Sequence, residues 1–279
     1  MPFTQLYLVL GAGYTDLFGN IGVTAQTAVF SIDTILPTLS GISIVSSNAT
    51  NTLAKVGNDI TLTFTASETL NADPSVVFTS GNAGVTGGIV ITNTSGTTYT
   101  AVYTTNANDT DGTIAYAINF TDSAGNDGVQ VSGNGPNAVT FDKTAPTISS
   151  RSIASNNATD TLAKVDNIVT LTIVASEPIS QPTVIFKSGT QGVNDNSITY
   201  TGSGTNWTAA YTVHANDTEG TVSYTLNYND LAGNAGGTIS GSGPNAVTVD
   251  KTAPTVAPAV SSFTIKDAND STDDNIIID

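Results

Sequence analysis

The sequence predicts an all-β protein made of tandem β-sandwiches arranged end to end, and three observations support this class. Apolar residues alternate with threonines over short segments, which is the period of a strand buried on one face. A unit of about 108 residues occurs twice in succession. The chain has no cysteine and no extended helical period of apolar residues, so hydrophobic strand faces rather than disulfide bonds must hold the fold.

The repeat is visible in long matching segments. Residues 39–68 return as 148–177, and residues 108–126 return as 216–234. Matching fragments at both ends indicate that the array continues in both directions. We therefore expect four parts: residues 1–32 as the last two strands of a preceding repeat, 33–141 and 142–250 as complete repeats, and 251–279 as a linker with the start of a following repeat.

Alternation within the first complete repeat places its strands. Ile60, Leu62 and Phe64 alternate with threonines, and the same pattern recurs in the second copy. About seven such segments separated by Gly, Asn and Asp turns imply an immunoglobulin-like β-sandwich. The strands are expected in order near 42–47, 59–66, 75–79, 89–94, 97–105, 113–120 and 137–142.

Composition excludes several classes of function. Seven basic residues against 23 acidic ones give a formal net charge of −16, which is unsuited to nucleic acid. No apolar run approaches the roughly 18–20 residues that cross a bilayer. The chain has a single histidine, His214, and no nucleophile–base pair repeats. We therefore expect no nucleic-acid partner, no membrane span and no enzyme activity.

The acidic residues fall at the ends of the predicted sandwiches. We call the end at which the chain enters the first strand proximal, and the end at which it leaves the last strand distal. Asp142, Glu177 and Asp230 belong to the proximal end of the second repeat, whereas Asp109 and Asp111 belong to the distal end of the first. If the repeats stack end to end, these five carboxylates should converge at one junction.

Equivalent acidic residues occur at the neighbouring junctions. Asp33, Glu68 and Asp122 form the proximal set of the first repeat. Asp217, Glu219 and Asp250 are available at the distal end of the second repeat. Asp16 is the corresponding acid of the preceding fragment.

Clustered carboxylates repel one another and resist ionisation unless a counter-charge is present. Ca²⁺ suits such a cluster because it accepts six to eight oxygen ligands in a tolerant geometry, whereas zinc would require His or Cys. The sequence therefore predicts calcium at the junctions. The alternative for each single Asp is turn chemistry, in which its side chain bonds nearby backbone N–H groups.

Three short motifs recur at these residues: Asp-x-Ala-Gly-Asn (122–126 and 230–234), Asp-Lys-Thr-Ala-Pro-Thr (142–147 and 250–255) and Ala-Ser-Glu (66–68 and 175–177). With them, residues 14 to about 256 resemble the tandem bacterial Ig-like repeats of large cell-surface adhesins and biofilm-associated proteins. Earlier copies of two of these motifs differ in sequence: residues 17–20 are Leu-Phe-Gly-Asn, and residues 33–38 are Asp-Thr-Ile-Leu-Pro-Thr.

The resemblance implies an extracellular, cell-surface stalk whose repeats contact one another, often through interdomain calcium. A receptor or glycan would then be bound by domains outside this segment. The same modules occur in surface-layer proteins and as spacers in secreted enzymes, so a surface-layer or sheath component and a spacer or carbohydrate-binding module remain alternatives. Pro146 and Pro254 favour extended backbone and hence a stiff joint when an ion is bound.

Overall fold

The computed structural model describes residues 4–6, 15–21, 30–194 and 197–255. Two complete repeats lie within this part of the chain, and each consists of two facing β-sheets. The strands of repeat one lie between Leu39 and Phe141, and those of repeat two lie between Ile148 and Val249. A further short pair of strands, β1 (Thr4–Leu6) and β2 (Phe30–Ile32), is antiparallel.

The first sheet of repeat one has four antiparallel strands in the order β3-β5-β9-β8. The second sheet has the order β4-β12-β10-β6-β7, with β11 also paired to β10. The strands are β3 (Leu39–Ser46), β4 (Leu53–Ala54), β5 (Asp59–Ala66), β6 (Ser75–Ser80), β7 (Ala83–Gly84), β8 (Val90–Ser95), β9 (Thr98–Thr104), β10 (Gly112–Asn119), β11 (Val131–Gly133) and β12 (Thr140–Phe141).

Repeat two has the same two sheets, in the orders β13-β15-β19-β18 and β14-β22-β20-β16-β17, with β21 paired to β20. Its strands are β13 (Ile148–Ser155), β14 (Leu162–Ala163), β15 (Ile168–Ala175), β16 (Thr183–Ser188), β17 (Gln191–Gly192), β18 (Thr199–Ser203), β19 (Asn206–Thr212), β20 (Gly220–Asn227), β21 (Ile239–Gly241) and β22 (Thr248–Val249).

This strand order is that of tandem immunoglobulin-like β-sandwiches. The predicted fold class is confirmed, and the predicted segment 59–66 coincides with β5. The last predicted segment is shorter than expected, since only β12 is regular within it. The prediction also missed short strands such as β4, which pairs in parallel with β12 and closes one side of the sheet. Two-residue strands carry no detectable alternation, so periodicity cannot find them.

The apolar residues that alternate with threonines along the strands fill the core of each sandwich. Ile60, Leu62 and Phe64 are fully buried on one face of β5, whereas the threonines between them are partly exposed. The central aromatic residues are Tyr103 and Tyr211, which lie 4.8 and 4.9 Å from a phenylalanine ring of the facing sheet. Each repeat therefore has its own apolar core, and the chemistry of the junction is built from the loops at its ends.

Candidate functional site at the repeat junctions

A loop with the sequence Asp-x-Ala-Gly-Asn lies at the proximal end of each repeat, and we call it the turn loop (122–126 in repeat one, 230–234 in repeat two). In repeat one the Asp122 carboxylate accepts hydrogen bonds from the N–H groups of Ala124 and Asn126 at 2.9 and 2.8 Å. Gly125 adopts a φ of 95°, which an L side chain rarely tolerates. Residues 16–20 repeat this arrangement, with Asp16 bonded to Phe18 and Asn20.

The amide of the turn-loop asparagine holds the incoming chain. Asn234 donates one hydrogen bond to the Asp230 carboxylate at 2.7 Å and another to the Asp142 carbonyl at 2.9 Å. Asn126 does the same with Asp122 and the carbonyl of Asp33. The motif therefore places an acidic residue of the turn loop beside the acidic residue that enters the repeat.

Three carboxylates converge at the junction between the repeats, and we call them the triad. Ligand oxygens of Asp142, Glu177 and Asp230 all lie within 4.8 Å of one another. Asp142 belongs structurally to repeat one, because its N–H donates to the Ala54 carbonyl at 2.8 Å. Glu177 and Asp230 belong to repeat two, so the triad combines groups from both sandwiches.

A second triad occupies the proximal end of repeat one. Its members are Asp33, Glu68 and Asp122, and their ligand oxygens also lie within 4.8 Å of one another. Asp122 is fully buried and Asp33 and Glu68 are half-buried, which matches the burial of the first triad. The arrangement is therefore a property of the repeat rather than of one junction.

The carboxylates of each triad affect one another's ionisation. Burial raises the pKa of Glu177, and the Asp142 carboxylate raises it further. Burial likewise raises the pKa of Asp142, although a hydrogen bond from the Thr144 N–H opposes this. The pKa of Glu68 is raised by burial and then by Asp33.

Asp122 differs from these residues. Burial acts to raise its pKa, but hydrogen bonds from Asn126 and the turn-loop N–H groups leave the pKa below its ordinary value.

Neither triad is neutralised by a basic side chain within the part of the chain that the structure describes. Among the described residues, no lysine or arginine nitrogen lies within 4.0 Å of a carboxylate oxygen. Lys143, which follows Asp142 directly, donates instead to the carbonyls of Ala107 and Asp109 at 2.9 and 2.6 Å. The triads therefore concentrate negative charge, and no basic group of the described residues offsets it.

The structure does not bring Asp109, which was expected in the five-carboxylate junction, into a triad, and Asp217, which was expected at the distal end of repeat two, is in no triad either. Both residues are 1% exposed. The Asp109 carboxylate accepts hydrogen bonds from the Thr86 N–H and hydroxyl and from the Asn106 N–H. The loop backbone turns these carboxylates inward, where they brace the loop at the distal end. This is the turn chemistry that the sequence left as the alternative.

Asp111 and Glu219 also lie outside the triads. Asp111 accepts hydrogen bonds from the Lys143 N–H at 2.8 Å and the Thr144 hydroxyl at 2.7 Å. Glu219 makes the same two contacts with Lys251 and Thr252. These residues fix the first part of each joining segment (142–147 and 250–255) to the repeat that precedes it.

Asp250 is exposed, and its carboxylate accepts a hydrogen bond from the Thr252 N–H at 2.9 Å. It is in no group of three acidic residues within the described part of the chain.

The far part of the joining segment is attached to the repeat that follows. Pro146 is buried, the Thr147 N–H donates to the Ser176 hydroxyl at 3.0 Å, and the Ser176 N–H donates back to the Thr147 carbonyl at 2.8 Å. The segment is thus bonded to both sandwiches. Sequence reasoning assigned no role to Lys143 or Asn234, although their repetition in both motifs was a usable signal.

No protein-family model matches the chain, and no curated protein matches it. Among solved structures, the chain is similar to the titin I-band fragment I67–I69, with 14% identity over 78% of this chain and 66% of that one and a TM-score of 0.40. The chain therefore spans slightly less than two thirds of that fragment. The tandem titin domains A164–A165 share 13% identity over 78% of this chain and 99% of that one, with a TM-score of 0.25.

A third similar structure is DIP-gamma IG1+IG2, with 12% identity over 79% of this chain and 99% of that one and a TM-score of 0.31. Within the described residues, no helix has the length and apolar character needed to cross a bilayer.

Proposed function

We propose that this chain is a non-catalytic structural segment of an extracellular stalk, in which Ca²⁺ bound at the triads stiffens the joints between successive repeats. The observation that carries the proposal is the triad itself. Asp142 is anchored to repeat one, Glu177 and Asp230 are on repeat two, and no basic residue of the described ranges pairs with them.

The donor set suits a hard divalent cation. Three carboxylates offer six oxygens, and Ca²⁺ accepts six to eight oxygen ligands at flexible angles. The oxygens of Asp230 already accept hydrogen bonds from Asn234, but each carboxylate oxygen has a second lone pair. Glu177 has no hydrogen-bond donor among the described residues, so its carboxylate is free to turn towards an ion.

A cation at this position would act on the joint mechanically. It would replace repulsion between carboxylates of two sandwiches by a shared attraction, and the joining segment is already bonded at both of its ends. Occupancy would therefore select one relative orientation of the repeats. A row of stiff joints gives an extended rod, which is what a stalk requires.

The extracellular stalk is supported by the tandem immunoglobulin-like fold and by the recurring motifs of the joining segment and turn loop. A receptor or glycan ligand would be bound by domains beyond this segment. The surface-layer and carbohydrate-binding alternatives have no specific observation in their favour.

Calcium titration of the full chain by calorimetry tests the site. Glu177→Gln and Glu68→Gln should each remove one bound ion per chain, because each variant takes the donor-free carboxylate from one triad. Glu219→Gln is the matched control, since it makes the same change in charge outside both triads. Equal calcium binding by the wild type and the Glu177→Gln Glu68→Gln double variant would refute the proposed site.

Small-angle X-ray scattering with calcium and with chelator tests the mechanical role. We expect the maximum dimension to be larger and the scattering to be that of a stiffer particle when calcium is present. The Glu177→Gln variant should resemble the chelated wild type under both conditions. An identical maximum dimension of the wild type with and without calcium would refute the stiffening role, and the repeats would then act as spacers that do not respond to calcium.

A further inference from the structure

The junction between the repeats contains a second set of contacts that involves no carboxylate. The Lys55 ammonium group donates a hydrogen bond to the Gly233 carbonyl at 2.7 Å, and the Asn48 side-chain amide donates one to the Ala232 carbonyl at 2.8 Å. Both donors lie between β3 and β5 at the distal end of repeat one, and we call them the socket. Both acceptors are in the turn loop of repeat two.

The two turn loops show what this contact changes. Ala232, which is seated in the socket, is 4% exposed, whereas its equivalent Ala124 in repeat one is exposed. Gly233 is half-buried and its equivalent Gly125 is exposed. The two loops share Asp, Ala, Gly and Asn and differ at the second residue, Ser123 or Leu231, and the asparagine bonds to the aspartate carboxylate in both. The greater burial in repeat two falls on the two residues whose carbonyls contact the socket.

The turn loop has the chemistry that the socket requires. Gly233 has a φ of 89°, and a Cβ at this position would lie 3.3 Å from the Lys55 ammonium nitrogen. Glycine at this position and alanine before it therefore allow close approach to the two carbonyls. The Lys55 ammonium group bonds to a backbone carbonyl and not to a triad carboxylate. This hydrogen bond therefore forms whether or not a metal ion occupies the triad.

Repeat two carries the same socket at its own distal end. Asn157 is held by the Asn167 side chain at 3.0 Å, just as Asn48 is held by Asn58 at 3.1 Å, so its amide is already oriented. The equivalent of Lys55 is Lys164, which is exposed. A cavity of about 360 Å³ lies beside it and is lined by Lys164, Val165 and residues 250–253.

We infer that this distal end is a docking surface for the turn loop of a further immunoglobulin-like repeat, with Asn157 and Lys164 donating to its Ala and Gly carbonyls. The occupant is a second copy of the same kind of repeat, because the equivalent socket in this chain holds such a loop. The inference goes beyond the proposed function, because the contact needs no calcium.

Lysine reactivity in chelating buffer tests the inference on the full chain. Partial acetylation followed by peptide mass spectrometry gives the rate at each lysine, and exposed Lys187 on β16 serves as the internal reference. Lys55 should react about tenfold more slowly than Lys164, which corresponds to a hydrogen bond of about 1.4 kcal/mol to a charged group. Equal rates at the two lysines would overturn the inference.

An extended chain supplies the occupant. Residues 1–255 would be followed by a second copy of residues 148–255, joined through the motif at 250–255 that is identical to 142–147. Repeat two has both its sheets and its core within residues 148–249, so the addition is a complete sandwich. The acetylation rate of Lys164 should fall to that of Lys55, while the equivalent lysine of the added copy should keep the fast rate that Lys164 has in the original chain.

Two outcomes separate this inference from the calcium proposal. An unchanged Lys164 rate in the extended chain would overturn the docking surface, whatever calcium does. Protection of Lys164 in chelator would support docking even if calorimetry showed no calcium binding.

Discussion

Replacing Asp217 by alanine should destabilise repeat two without changing calcium binding at the triads. The Asp217 carboxylate is 1% exposed and accepts hydrogen bonds from the Asn194 N–H at 2.7 Å, the Asn194 side chain at 3.1 Å and the His214 N–H at 2.8 Å. The alanine variant removes all three bonds and leaves the donors unpaired.

The magnitude follows from the number and kind of these bonds. A hydrogen bond to a charged group contributes about 1.5–3 kcal/mol, but His214 is exposed and water replaces part of what is lost. We therefore expect the free energy of unfolding of repeat two to fall by about 3 kcal/mol. For a domain of about 100 residues, this lowers the melting temperature by roughly 12–24 °C.

The single tryptophan provides the assay. Trp207 is half-buried on β19 of repeat two, so thermal unfolding followed by its fluorescence reports on that repeat alone. Asp109→Ala makes the equivalent change in repeat one and is the matched control, because it should leave the Trp207 transition in place.

A contrary result would be clear. If Asp217→Ala left the Trp207 transition unchanged and reduced the number of bound calcium ions, Asp217 would be a metal ligand and its role as a structural brace would be refuted.

Three further predictions concern repeat two. Tyr211→Phe should leave the free energy of unfolding unchanged or raise it by up to about 1 kcal/mol in a fluorescence-detected denaturant titration, because the buried hydroxyl has no partner in the described structure; a loss of more than 1 kcal/mol would reveal a missing partner. Gly236→Ala should lower the free energy of unfolding by about 1–3 kcal/mol in the same titration, because the added Cβ would lie 2.1 Å from the ring of Tyr228, which follows β20. The control Gly237→Ala should leave it unchanged, because no atom lies within 4 Å of the added Cβ. Hydrogen bonds from the Thr252 hydroxyl and the Lys251 N–H hold the pKa of Glu219 below its usual 4.5, so this contact is fully present above pH 4.5 and is lost as the pH falls through the lowered pKa. The NMR chemical shift of the Lys251 amide should therefore titrate with a midpoint below pH 4.5. A midpoint at or above pH 4.5 would contradict the contact.

The structure places some of the acidic residues singled out in the sequence close together and others apart, and the difference has a physical reason. Glu177 lies two residues after β15 and Asp230 three residues after β20. These strands belong to facing sheets and both end at the proximal end of the sandwich, so the approach of the two acids could be anticipated. Asp109 is in a loop, and its carboxylate turns inward to Thr86, which is 23 residues away in the chain. No periodicity encodes the direction of a loop side chain.

The sequence by itself determined the two repeats and the β-sandwich class and predicted that acidic residues gather at the ends of the sandwiches, because these depend on self-similarity, alternation and strand order. Only the tertiary structure decided which acids brace their own loops and that Lys55 reaches Gly233 across the junction. Those choices depend on backbone dihedrals and on contacts between residues far apart in the chain, and such contacts form only when the sandwiches are folded and placed end to end.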